Sequence, residues 1–213
     1  MDWRIVQLKF LIRQSFFKNK HSALTDDVAS TLRQSFFKAL GTKLPSLENL
    51  IDVLNTLSSY VQELLDSGTA PRLPLARETL DAWKTAMALV KKTKDRKPGS
   101  VQQVFHLLFV YMGLYLFMDA PMALDALKEL HSCYEHSSAK AAKKRKSLKT
   151  DDEPQWIEVT VELLLSLLSN GSNLLRTLVG IVFTHLRKHI TREALHQILE
   201  VRSRAAFGGN HVT

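Results

Sequence analysis

Polar residues Gln155, Glu158, Glu162, Ser166 and Ser169 recur at steps of three and four. Trp156, Ile157, Val159, Val161, Leu163, Leu164, Leu165, Leu167 and Leu168 fill the positions between them. On a helix the polar set makes one narrow stripe. The pattern predicts a helix entered at Pro154, where a missing N–H costs nothing, and running to about Ser169. With so little polar surface, it is expected to be the most deeply packed helix of the chain.

The remaining chain reads as helices too. Ile5, Leu8, Ile12 and Phe16 share one face of a first helix from Trp3 to about Lys18, widened by Val6, Phe10 and Phe17. Thr25 caps a second, with Asp26 and Asp27 in the first turn, where the helix dipole favours acids. Val28, Leu32, Phe36 and Leu40 form its stripe, and Gly41 ends it. Ser46 caps a third, Leu47 to Asp66, with Leu50, Leu54, Leu57, Val61 and Leu64 inward and Gly68 as its stop. A fourth runs from about Leu75 to Lys92 on Leu80, Trp83, Met87 and Val90. Ser100 caps a very apolar fifth, Val101 to Met118, and Asp119 and Pro121 open a sixth on Met122, Leu124, Leu127, Leu130 and Tyr134. Ser172 caps an eighth, Asn173 to Lys188, and Thr191 a ninth with Leu195, Ile198 and Leu199 inward.

Val, Ile and Thr nowhere alternate cleanly with polar residues, so the fold class is all-α. Short turns between long helices imply antiparallel neighbours, and hence an armadillo/HEAT-like α-solenoid of antiparallel helix pairs. The expected organisation is a helical-repeat segment over 1–136, a flexible linker over 137–153, a second helical-repeat segment over 154–202 and a disordered tail over 203–213. Arg13-Gln-Ser-Phe-Phe-Lys18 returns as Arg33-Gln-Ser-Phe-Phe-Lys38. One such pair fits either a tandem echo of a helical repeat or chance similarity between two amphipathic helices.

Charge adds a possible function. The 213 residues carry a formal net charge of +8, a balance that suits acidic partners. The cations are concentrated in two places: Lys91, Lys92, Lys94, Arg96 and Lys97, and Lys140, Lys143, Lys144, Arg145, Lys146 and Lys149. The second set lies in the linker, which turns acidic at Asp151, Asp152 and Glu153. Lys143 to Lys146 matches a short nuclear-import signal, whose lysine stems lie along aromatic faces of an import receptor while the ammonium groups meet carboxylates. Both clusters also suit non-specific contact with DNA or RNA phosphates. Cys133 is the one cysteine, which fits a reducing compartment such as the cytosol or nucleus.

Other constellations have bland explanations. Leu164-Leu-Ser-Leu-Leu168 has the L-x-x-L-L spacing of helix-in-groove ligands, but it belongs to the helix expected to be most buried. His185 and His189 stand four apart without the glutamate of H-E-x-x-H. His131, Cys133, Glu135 and His136 would make only a partial metal site. No metal or cofactor is expected. No phosphate-binding loop, dinucleotide fingerprint or nucleophile elbow is present, so no enzyme and no small-molecule substrate is expected. The run Val104 to Met118 is shorter than the ~20 residues a membrane span needs.

Glu153-Pro-Gln-Trp-Ile-Glu-Val-Thr-Val-Glu-Leu-Leu-Leu-Ser-Leu-Leu168 resembles the Myb-binding protein 1A, or DNA polymerase phi, family. So do Ser172-Asn-Leu-Leu-Arg-Thr-Leu-Val179 and His189-Ile-Thr-Arg-Glu-Ala-Leu-His-Gln-Ile-Leu199. The resemblance is weaker over 1–135, where Trp3, the segment 8–13 and the apolar helix 101–118 carry it. It implies armadillo-like repeats in the nucleus and nucleolus. It also implies binding to transcription regulators and nucleolar proteins, and a part in ribosomal RNA synthesis and ribosome biogenesis. No catalytic carboxylate set carries over to match the polymerase name. Family members are several times longer, so the chain is expected to be a fragment or truncated member. A reporter fused to residues 137–153 is expected to enter the nucleus; one that stays in the cytosol removes the import reading.

Overall fold

The computed structural model describes residues 3–18, 24–40, 46–93, 100–144, 156–169 and 173–207. Among them are nine α-helices and no strand: α1 (Trp3–Ser15), α2 (Asp26–Leu40), α3 (Leu47–Asp66), α4 (Arg77–Lys92), α5 (Val101–Tyr115), α6 (Ala120–Lys144), α7 (Trp156–Ser169), α8 (Asn173–Leu186) and α9 (Arg192–Phe207). The all-α expectation holds. Two compact units divide within α6, at Lys128 and Glu129. The expected start of the linker at residue 137 also falls inside α6, which continues to Lys144. Among the described residues no helix is long and apolar enough to cross a membrane.

Several predicted caps are in place. Thr25 Oγ1, Ser46 Oγ, Ser100 Oγ and Thr191 Oγ1 accept from the N–H three residues on, at 3.4, 3.2, 3.4 and 3.2 Å. These bonds satisfy N–H groups that have no partner inside the helix. Gly68 takes φ 70 just past α3, a left-handed conformation that costs glycine little. The first helix ends three residues sooner than its periodicity suggests, at Ser15 rather than Lys18.

The early stop of α1 shapes the first unit. Arg33 Nη1 donates to Ser15 O at 3.0 Å and Arg72 Nε to Gln14 O at 2.9 Å, so two guanidinium groups take carbonyls left open at the helix end. Arg72 N donates to Phe16 O at 2.8 Å and Lys18 N to Ala70 O at 2.8 Å, forming a short antiparallel bridge between Phe17 and Pro71. The chain leaves the helix with Phe16 and Phe17 both pointed into the core.

There they meet the second copy of the repeated hexapeptide. The Phe16 ring lies edge-on to Phe36 at 5.3 Å, and Phe37 packs edge-on to Tyr115 at 5.1 Å. Phe117 contacts Phe16, Phe17 and Trp83. Edge-to-face and offset pairs of this kind add to the stabilisation from burial. The two copies differ in backbone, since the first spans the end of α1 and the second lies wholly within α2. Their aromatic pairs nonetheless converge on one cluster.

Helix α5, not α7, is the most enclosed: every residue from Val104 to Phe117 is buried. Its interior polar group, His106, has Nε2 2.9 Å from Asn55 Oδ1 of α3 and Nδ1 3.1 Å from the Thr93 hydroxyl that caps α4. A buried histidine partnered on both nitrogens links three helices without an unsatisfied ring atom. Gly113 faces Met87 and Trp83 of α4, where an added Cβ would meet the movable Met87 Cε at 2.9 Å and the Trp83 ring at an ordinary contact distance of 3.5 Å. Helix α7 keeps Glu162 exposed and Glu158 and Ser166 at its edge. These three described members of its expected polar stripe leave it less enclosed than α5.

In the second unit α7 packs on α8 and α9. Ile157, Val161, Leu164 and Leu167 meet a core shared with Leu175, Leu178, Val182 and Leu186. The α9 assignment needs correction. Ala194 is fully buried while Leu195 and Leu199 are 48% and 51% exposed, so α9 approaches along its alanine side. Replacing Phe37 with Ala is expected to lower unfolding free energy in urea by about 3–5 kcal/mol. Phe10→Ala, at an exposed position, is expected to change it by less than about 0.5 kcal/mol.

Candidate functional site

The predicted basic residues do not form a described face. Lys91 and Lys92 are exposed in the last turn of α4. Lys94, Arg96 and Lys97 lie outside the described residues, as do Arg145, Lys146 and Lys149. Lys140, Lys143 and Lys144 fall on the last turns of α6, ahead of the undescribed stretch.

The weaker constellations resolve into structural roles. In the L-x-x-L-L run, Leu164 and Leu167 are fully buried and Leu168 is half-buried, which makes it core. Among the described residues no group of His, Cys, Asp and Glu is placed to hold a metal ion. His131 Nε2 instead lies 3.5 Å from Glu135 Oε1, one turn along the same helix. Burial, then the Glu162 and Glu129 carboxylates, push the half-buried Cys133 thiol up. That shift keeps sulfur protonated and poorly nucleophilic.

The buried ionisable groups of the first unit serve packing. Burial and the nearby Arg72 cation pull the Arg33 guanidinium below its ordinary value, with Asp26 opposing. Asp26 pairs with Arg72 at 3.6 Å from an almost fully exposed position. The Tyr111 hydroxyl is buried without a hydrogen-bond partner among the described residues, and burial, then Tyr115, push it up.

Sequence reasoning missed the surface that stands out most. Trp3 is 70% and Phe10 58% exposed on the solvent side of α1, although Phe10 was expected to widen the core face. With Val6 and Gln7 they form a stripe at steps of three and four, turned away from the buried Leu8, Ile12 and Ser15. The stripe borders a groove of about 840 Å³ lined by Trp3, Arg4, Phe10 and Leu11 of α1 and by Ser35 and Ala39 of α2. Arg4 Nη2 donates to Ala39 O at 2.9 Å, fixing a cation at the groove's edge over the end of α2. The available signal was an α1 that is apolar on two faces. Exposed aromatic residues grouped in this way mark interaction surfaces more often than isolated ones do.

The DNA polymerase phi family model matches residues 1–204. "Myb-binding protein 1A-like protein" of Danio rerio is 36% identical over 128 residues, 60% of this chain and 10% of its own length. "Myb-binding protein 1A" of Rattus norvegicus is 27% identical over 216 residues, 91% of this chain and 16% of its own length. "rDNA transcriptional regulator pol5" of Schizosaccharomyces pombe is 36% identical over 122 residues, 55% of this chain and 12% of its own length. The chain thus spans between 10% and 16% of these relatives. No solved structure gives a significant match. The sequence blocks at 153–199 and the family match over nearly the whole chain agree: the chain belongs to the DNA polymerase phi family.

Proposed function

We propose that this chain is a helical-repeat scaffold segment of a nuclear and nucleolar protein. It binds transcription regulators and takes part in ribosomal RNA synthesis and ribosome biogenesis. The observation that carries this reading is the family match over 1–204, together with relatives whose names specify Myb binding and regulation of rDNA transcription. The helix pairs α1–α2 and α7–α8 suit a stack of the armadillo/HEAT-like α-solenoid type. The buried polar groups support a non-catalytic role, since Arg33, Arg72 and His106 are engaged in holding helices together. Lys143 to Lys146 would address the protein to an import receptor.

A second reading is non-specific DNA or RNA binding through the basic segments, favoured by the exposure of Lys91 and Lys92 at the end of α4. Two measurements separate the readings. A pull-down from nuclear extract with the full chain is expected to retain transcription regulators after nuclease treatment; loss of all of them on nuclease treatment counts against the scaffold. Titration with duplex DNA and structured RNA at two salt concentrations tests the alternative, because phosphate contacts weaken steeply as salt rises. No binding at low salt eliminates it.

A further inference from the structure

We propose that His106, Asn55 and Thr93 form a proton-sensitive joint between α3, α4 and α5, closed while the His106 ring is neutral and loosened by acid. His106 is 3% exposed and Thr93 beside it 1%. Nε2 of the ring lies 2.9 Å from Asn55 Oδ1, and Nδ1 lies 3.1 Å from Thr93 Oγ1. The same hydroxyl oxygen lies 2.6 Å from Leu89 O and 3.0 Å from Val90 O, two carbonyls near the end of α4. The proposal stands apart from the protein-binding reading above and does not depend on it.

The hydrogens distinguish two states of the joint. Asn55 Oδ1 only accepts, so Nε2 carries a hydrogen. The Thr93 hydroxyl has a single hydrogen and two competing uses for it. Donated to Nδ1, it completes a neutral ring. Donated to Leu89 O, it leaves Nδ1 facing a lone pair, a pairing that needs a second ring hydrogen and hence an imidazolium. Acid therefore adds one proton from water at Nδ1 and turns the Thr93 hydroxyl toward α4. What the joint gains in that step is a buried charge.

The surroundings decide which form the fold favours. Among the described residues no Asp or Glu is buried. Helix α5 has no carboxylate, lysine or arginine of its own, and its tyrosines, Tyr111 and Tyr115, do not titrate in acid. On α3, Glu48, Asp52, Glu63 and Asp66 are exposed. On α4, Arg77, Glu78, Asp81 and Lys84 are exposed, as are Lys91 and Lys92 just before Thr93. Helix α2 reaches α5 through Phe37, against Tyr111 and Tyr115. Its Asp26, Asp27 and Lys38 are exposed, and its buried cation, Arg33, is bonded to Ser15 O. The carbonyls ending α4 favour a cation, but they offset only part of the hydration that a buried imidazolium gives up. The folded chain thus holds the ring neutral, whereas the unfolded chain protonates it near pH ~6.5. A folded state that binds fewer protons has its full stability above that pH and loses it as pH falls below.

The test uses the full chain in a W3F/W156F background. Trp83, whose Nε1 donates to Gln62 Oε1 of α3 at 2.8 Å, then reports alone on the α3–α4 contact. Urea unfolding is followed by its fluorescence. Between about pH 7.5 and about pH 5.5 the unfolding equilibrium constant is expected to rise about tenfold more in this chain than in the same chain carrying H106Q. Glutamine keeps a donor and an acceptor without titrating, and the chain's other histidines cancel in the comparison. Should H106Q fail to fold, nitrogen NMR of the ring in the folded parent chain decides by itself. The expected result is a hydrogen on Nε2 at neutral pH and no titration down to about pH 5.5, a range over which exposed His196 titrates. Equal pH dependence with and without H106Q overturns the proposal, as does a His106 ring that is charged at neutral pH or titrates in that range while the chain stays folded. A neutral ring with its hydrogen on Nδ1 overturns it too, because Asn55 would then donate through its amide nitrogen and Nδ1 would have no place for the added proton.

Discussion

Helix α1 ends at Ser15, and the carbonyl groups it leaves open go to two arginines from distant parts of the chain. Arg33 reaches Ser15 O and Arg72 reaches Gln14 O. Both side chains are largely buried, and Arg72 pairs with exposed Asp26. Burial first, and then repulsion from the Arg72 cation, hold the Arg33 guanidinium below its usual value, with Asp26 opposing. The negative end of the α1 dipole and its open carbonyls offset that repulsion. Without the early stop, Phe16 and Phe17 would continue along the helix instead of entering the core against Phe36, Phe37 and Phe117. The remaining packing of the first unit builds on this turn.

The same turn explains the repeated hexapeptide better than a structural period does. A tandem unit would place both copies at equivalent points of equivalent helices. Here one copy ends a helix and the other lies inside one, and Arg33 of the second holds Ser15 of the first. The copies serve complementary roles: one provides the open carbonyl, the other the cation, and both provide phenylalanines to a common cluster.

What could be read from the sequence follows from what is local. Caps at Thr25, Ser46, Ser100 and Thr191 involve atoms three residues apart, and each is where the pattern puts it. The L-x-x-L-L run reads as core because the polar stripe beside it is narrow. Which face of a doubly apolar helix is covered depends on partners far along the chain. That is why Phe10, Leu195 and Leu199 were assigned inward and lie outward. The ranking of α5 and α7 failed for a related reason. His106 is polar, but Asn55 and Thr93, 51 and 13 residues away, make it a tolerable core residue. The groove was illegible because it consists of what α2 leaves uncovered on α1.

A fold so dependent on aromatic burial makes the uncovered aromatics informative. The first unit takes Phe16, Phe17, Phe36, Phe37 and Trp83 almost wholly out of water, yet leaves Trp3 and Phe10 of α1 exposed. Packing them inward would require turning α1 about its axis, which would withdraw Leu8 and Ile12 from the core and pull Ser15 away from Arg33. The core contacts and the arginine clamp therefore fix the rotation of α1, and that rotation fixes the outward stripe. The interactions that stabilise the unit are thus the same ones that present its apolar face.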